Sequence, residues 1–224
     1  MIEVRYSAEF GKWLNRLRDA NAHARIVQRI RRLERGNRGD VKSVGGGLHE
    51  LRIDYGPGYR VYFVHEGSAV VILLCGGDKD TQDQGHQASA GSGRKIGTHT
   101  METTRFDASE LLDTPARRAA YLSAAFETGD PEEIRDALGI VARARGLAEV
   151  AREANLSRTS LYRTLSGKGN PEFGTVVRVL ASLGIRLTAT PAVQPRKSTR
   201  RPGATKRTTA RKPHARKKAE AARA

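Results

Sequence analysis

Apolar residues recur with helical spacing from the first turn of the chain onward. Phe10, Trp13, Leu14 and Leu17 fall at i, i+3, i+4 and i+7, one stripe of an amphipathic helix, and Ser7 sits where its N-cap belongs. A short strand over 2–5 precedes it. A second helix is predicted over 22–34, with Ile26, Val27, Ile30 and Leu33 on its buried side. Its other side carries Arg25, Arg29, Arg31, Arg32 and Arg35, which reads either as a solvated face or as a contact for an RNA phosphate backbone. The period then shortens. Strands are predicted near 48–54, 60–65 and 69–75. Leu51, Ile53, Val61 and Phe63 share one face if Asp54 lies opposite Arg60 and Arg52 opposite Tyr62, with the turn at 55–59. Glu50, Arg52, Asp54, Arg60 and Tyr62 then gather on the polar face. The run Val70-Val71-Ile72-Leu73-Leu74-Cys75 is apolar throughout, which predicts an interior strand.

From residue 78 to about 104 the periodicity vanishes, and stretches such as Ala88-Ser89-Ala90-Gly91-Ser92-Gly93 have linker composition. Helical spacing resumes over 116–126. Asp130 and Pro131 open another helix with an N-cap, a proline at the first position and acids in the first turn; it runs to about 145, ahead of Gly146. Helices over 147–154, 157–165 and 172–183 follow, then a short strand over 185–189. After Pro191 no apolar face remains, and disorder is expected. The organisation predicted is an α+β domain at 1–84 with two helices on a small antiparallel sheet, a flexible linker at 85–104, an all-α domain at 105–190 and a tail at 191–224.

Charge sharpens this division. Residues 1–100 carry 16 basic and 11 acidic side chains, residues 101–190 carry 12 of each, and residues 191–224 carry 12 basic against one acidic. A basic chain favours polyanions such as RNA or DNA, and the tail reads either as a solvated extension or as a non-specific phosphate binder. No run approaches the roughly 20 apolar residues that span a bilayer, and the start lacks the layout of a secretory signal. The sole cysteine, Cys75, reads as core. A soluble, cytoplasmic protein without metal, cofactor or membrane partner is expected.

Two constellations carry chemistry. Metal-independent RNA cleavage needs an aligned 2′-OH, neutralisation of charge building on the phosphate, and proton transfer. Arg52 and Arg60 on adjacent strands offer a cationic fork, Lys79 a third cation, and Tyr62, His49 and Lys42 proton-transfer groups. The second constellation is Ala151-Arg152-Glu153-Ala154-Asn155-Leu156-Ser157-Arg158-Thr159-Ser160-Leu161-Tyr162-Arg163. Small residues keep its first helix slim, Asn155-Leu156 makes a turn, and Ser157 caps a second helix. Leu161 and Leu165 point inward, leaving Arg158, Thr159, Tyr162 and Arg163 outward, where a helix inserted in a major groove reads bases.

Both segments resemble known families. Residues 1–84, through Trp13-Leu14, Arg29-Ile30, Leu33-Glu34, Gly39-Asp40 and the 51–63 and 73–79 runs, resemble the HigB-like branch of the RelE/ParE toxin superfamily. That implies a ribosome-dependent mRNA endonuclease with Arg52, Arg60 and Lys79 at the family's basic positions. The likeness stops where such toxins continue into a C-terminal helix: Gln84-Gly85-His86-Gln87-Ala88-Ser89 has no helical pattern, and His86 reads either as an inert linker histidine or as a substitute for the missing catalytic side chain. Residues 101–190, through Leu111-Leu112-Asp113, Gly129-Asp130-Pro131, 142–146 and Gly169-Asn170-Pro171, resemble HigA-like helix-turn-helix antidotes. That implies toxin binding and repression of the module's own promoter. The combined expectation is a fused type II toxin–antitoxin protein whose partners are mRNA on the ribosome, promoter DNA and its own other half, and which forms a homo-oligomer. Two competing readings are a transcriptional regulator with an inactive toxin-fold interaction domain, and a ParE-like gyrase inhibitor.

Overall fold

The computed structural model describes residues 2–78, 101–165 and 171–191. Lys79, His86, most of the expected linker and the basic tail lie outside them. Strand β1 (Glu3–Ser7) leads into α1 (Ala8–Arg16) and α2 (Ala20–Glu34), followed by β2 (Val41–Gly45), β3 (Leu48–Ile53), β4 (Tyr59–Glu66) and β5 (Val70–Asp78). After the segment outside the description come β6 (Thr103–Arg105) and five helices: α3 (Pro115–Thr128), α4 (Pro131–Arg145), α5 (Leu147–Glu153), α6 (Arg158–Leu165) and α7 (Phe173–Ser182). The fold is mixed α and β.

Local chemistry explains most boundaries. The Ser7 hydroxyl accepts from the Phe10 amide, and Asp19 and Asp130 cap α2 and α4 in the same way. Thr114 caps α3 ahead of Pro115, and Gly129 ends it in the left-handed region at φ 67°. The 185–189 stretch forms no strand. Its Ile185 amide instead bonds the Leu180 carbonyl at 2.9 Å and Ile185 packs on the core, which takes the segment into a helix-terminating turn.

The sheet runs β2-β3-β4-β5-β1-β6. It is not the purely antiparallel sheet expected: β1 pairs in parallel with β5, because α1 and α2 intervene in sequence and lie on one face. Strand β5 is interior, as its unbroken apolar run requires. The β3–β4 register differs from the expected one by two residues, with Arg52 opposite Arg60 and Glu50 opposite Tyr62. Tyr59 is drawn into the sheet opposite Ile53, and Gly56 and Gly58, at φ 56° and 80°, close the loop earlier. A two-residue slip preserves the faces, so the apolar set still points at the helices. Asp54, however, leaves the strand for the turn.

Residues 1–187 form one compact unit. Helix α2 is central to it, with the sheet on one side and α3 on the other. That explains why Ala22 and His23 are buried together with the expected Ile26, Val27, Ile30 and Leu33. The core is continuous from Phe10, Leu51 and Phe63 through Phe106 and Leu112 to Tyr121 and Val141. Strand β6, unforeseen at the end of the expected linker, adds antiparallel to β1 and pairs Arg105 with Arg5 and Thr104 with Tyr6. No helix among the described residues is long and apolar enough to cross a membrane.

Candidate functional sites

The sheet face turned away from the helices is assembled by cross-strand rows. Lys42, Glu50, Tyr62 and Cys75 stand opposite one another across β2 to β5, and Arg52 stands opposite Arg60 in the adjacent row. Two guanidinium groups directly opposed repel. Glu50 resolves this from two residues along β3. Its side chain is 1% exposed, and its Oε1 lies 2.6 Å from Arg52 Nε and 3.3 Å from Arg60 Nε. The first is a hydrogen bond, while the second is an ion pair without hydrogen-bond geometry. Tyr62 donates its hydroxyl to Glu50 Oε2 at 3.4 Å.

This face is therefore less open than an exposed polar surface. Tyr62 is fully buried and belongs to a second apolar cluster with Leu48, Ile72 and Leu74, against which Met101 packs. Burial first, and then the Glu50 charge, push the Tyr62 phenol up to about 12, leaving it a donor rather than a base at neutral pH. The hydrogen bond from Arg52 to Glu50 holds that guanidinium still more firmly protonated. Three of the four expected catalytic side chains, Arg52, Arg60 and Tyr62, thus converge on a carboxylate that spacing alone left in the background. Lys42 shares their face. His49 does not: it lies in the row with Phe63, stacked on that ring at 5.3 Å, on the helix side.

The arginine side of α2 is partly exposed, and most of its guanidinium groups are paired with carboxylates of later helices. Arg25 pairs with Glu127 of α3 at 2.5 Å, and Arg32 with Glu133 of α4 at 2.7 Å. Asp136 of α4 serves two partners. It accepts both Nε and Nη2 of Arg31 at 3.1 Å and lies 2.7 Å from Arg35. Glu34 also pairs with Arg31. Further along the seam the buried Arg117 of α3 reaches the carbonyls of Asn15 and Leu17 at 3.1 and 3.5 Å and pairs with Asp113. His23 lies against this group, fully buried, with neither ring nitrogen hydrogen-bonded. Burial, reinforced by the Arg117 charge, lowers its pKa to about 4. The pairings of α2 with Glu127, Glu133 and Asp136 join segments about a hundred residues apart, although those acids already have the spacing to line one side of a helical hairpin.

The residues of the second expected site lie on α5, α6 and the turn between them. Asn155 adopts φ 53° in the turn between α5 and α6, and Ser157 Oγ accepts from the Ser160 amide at 3.0 Å. Ala151, Ala154 and Leu161 are buried. Arg158, Thr159, Tyr162 and Arg163 are all exposed, Tyr162 by 69%, and three of them line a concavity of about 540 Å³ with Leu147 and Ala148.

Comparison with known proteins gives these two regions separate relatives. Residues 12–90 match the family described as phage-derived protein Gp49-like, and residues 102–191 match the family described as probable addiction module antidote protein. Two uncharacterized proteins of Haemophilus influenzae are similar to the chain. One is 52% identical over 83 residues, 37% of this chain and 84% of the relative. The other is 39% identical over 87 residues, 39% of this chain and 90% of the relative. No solved structure gives a significant match. The chain belongs to the families of these two Haemophilus proteins and joins, in one polypeptide, a Gp49-like domain of the toxin class to an addiction-module antidote-like domain.

Proposed function

We infer that the chain is a fused type II toxin–antitoxin protein of HigB/HigA type. Residues 1–84 are the RelE/ParE-like toxin half, an mRNA endonuclease working on the ribosome without metal. Arg52 and Arg60 neutralise the phosphate with Lys79, and Tyr62 donates a proton or hydrogen bond. Residues 105–190 are the antidote half, with α5 and α6 as a helix-turn-helix whose Arg158, Thr159, Tyr162 and Arg163 read the module's own promoter. The observation that carries this is the seam, where a toxin-class domain and an antidote-class domain share one core and their opposite charges are paired. Tethering makes neutralisation intramolecular, at an effective concentration in the millimolar range.

Expression in a bacterial host tests this. The whole chain is expected to be tolerated, while residues 1–84 arrest growth and cut mRNA on translating ribosomes. The Arg60→Ala change in that fragment is expected to cost about 10²-fold or more in cleavage, as the loss of a charge-stabilising donor does elsewhere. A folded fragment that leaves mRNA intact overturns the toxin assignment. One observation favours a second reading, a promoter-binding regulator whose toxin fold is inactive: Glu50 already occupies both arginines, and Tyr62 is buried. In that case the fragment is harmless while promoter binding by the whole chain persists.

A further inference from the structure

The hollow of about 540 Å³ between α5 and α6 does not end at the residues facing outward from α6. A smaller hollow of about 90 Å³ shares Leu147 and Tyr162 with it and reaches α4 at Gly139 and Arg143. Gly139 permits that junction: a Cβ there would lie 3.3 Å from the Leu165 carbonyl, so the glycine lets the end of α6 close on α4. The larger volume falls within the range of small-molecule sites, roughly 300–1,000 Å³. The lining sets the chemistry of an occupant. Leu147 and Ala148 give an apolar surface, and Tyr162 offers both hollows an exposed ring on which a planar group can stack. No Asp or Glu lines either hollow among the described residues. Arg143 and Arg158 are exposed, and neither has a carboxylate within ion-pair distance among the described residues. Arg143 feels the Asp107 charge only at longer range. Arg145, two residues further on, is by contrast committed to Glu149 and Glu153.

We propose that the paired hollows between α4, α5 and α6 bind a small planar aromatic carboxylate, its ring against Leu147 and Tyr162 and its charge met by Arg143 and Arg158. A rigid ring buries apolar surface with little conformational freedom to lose, and a guanidinium fork matches a carboxylate. Arg158, Thr159 and Tyr162 are also the side chains assigned to promoter reading. Ligand and DNA therefore compete for them, and an aromatic acid releases the promoter. That consequence rests on the helix-turn-helix reading above, whereas occupancy of the hollows does not.

The test uses the full chain, with 2-naphthoate as the probe and 2-naphthamide as its neutral counterpart. Salt is held at about 0.15 M, where a Debye length of about 8 Å screens diffuse attraction to the basic tail. Equilibrium dialysis without DNA reads occupancy, and circular dichroism confirms the fold of each variant. The parent is expected to bind naphthoate saturably, and the amide about tenfold more weakly for want of a charge-assisted contact. Ala148→Phe fills the larger hollow from an exposed position and should weaken naphthoate about tenfold or more, through lost burial of the ring. Arg143→Ala with Arg158→Ala should bring naphthoate down to the level of the amide. Saturating naphthoate should lower the parent's promoter affinity about tenfold and leave that of Ala148→Phe unchanged. No binding by the parent, equal binding of acid and amide, or binding that persists in folded Ala148→Phe overturns the proposal. Naphthoate that binds yet leaves promoter affinity unchanged overturns the competition. If Ala148→Phe loses its fold, the double arginine variant decides, since it alters only exposed side chains, and undiminished binding there overturns the site. A chain that reads no promoter overturns the assignment of α6 and leaves the dialysis result standing, so the two failures are distinguishable.

Discussion

Helices α2 and α6 both place arginines on the side away from their apolar residues, yet the folded chain treats them oppositely. On α2, Arg25, Arg31, Arg32 and Arg35 are each met by a carboxylate about a hundred residues further along, and the helix is buried on two sides. On α6, only Leu161 is buried, and Arg158, Thr159, Tyr162 and Arg163 face outward. A basic helix face is thus either an internal seam or a surface for something else, and which it is depends on what the rest of the chain can bring to it. Substitutions at the first should move stability. At the second they should move binding alone.

The largest expected effect breaks the seam at its apolar base. Tyr121 is 1% exposed in α3, within the core shared by both halves. Tyr121→Ala should cost about 3–5 kcal/mol, the range for deleting a buried aromatic. Trp13, the only tryptophan, sits in the other half and reports on it. If the core is one cooperative unit, the Trp13 fluorescence midpoint must fall along with the helical circular dichroism signal. A Trp13 transition that stays put in this variant would mean that the halves unfold independently.

A second effect follows from His23. Its pKa in the folded chain is about 4 against about 6.5 for an ordinary histidine, so below pH 6.5 the unfolded chain binds a proton that the folded chain refuses. Stability should be flat above pH 6.5 and fall between pH 6.5 and 4, by up to about 3 kcal/mol. The groups facing the ring are Arg117, which opposes its protonation, and Asp113, which favours it. Urea titrations across this range should show the slope in the parent and its loss in His23→Leu.

A smaller change sharpens the ionic part of the comparison. Asp136→Ala leaves Arg31 with Glu34 and strips Arg35 of its partner. These side chains are a fifth to a third exposed, so solvent screens the pairs and the expected cost is about 1–2 kcal/mol. Raising salt should shrink the difference between variant and parent.

What could be read from sequence follows the range of the interaction. Caps, helix stripes and strand faces are local, and Ser7, Asp130, Ser157 and the 51–63 alternation marked them. Strand β6 was not legible, because Thr103-Thr104-Arg105 has no apolar alternation and forms by borrowing the β1 edge. The burial of His23 and the pairing of the α2 arginines were hidden for the same reason, since both need a partner from the far side of a linker-like stretch. In the candidate catalytic set the arginines and tyrosine were visible as types on one face. Their common dependence on Glu50 required the actual register.

The smallest expected effect on stability belongs to α6, and there the comparison meets its strictest test. Arg158→Ala with Arg163→Ala removes two exposed side chains and leaves Leu161, Ala151 and Ser157 in place, so unfolding should change by no more than about 0.5 kcal/mol. Binding should behave differently. Each lost base contact is expected to cost about 1–3 kcal/mol of discrimination, enough for the double variant to bind promoter and scrambled DNA alike. If the tail adds charge without reading bases, deleting 191–224 should weaken both DNAs equally and flatten the salt dependence. Titrations of the two DNAs at two salt concentrations separate these effects. If the double variant still prefers its promoter, or if it unfolds as readily as Asp136→Ala, then α6 is a second seam rather than a reading head, and the contrast with α2 disappears.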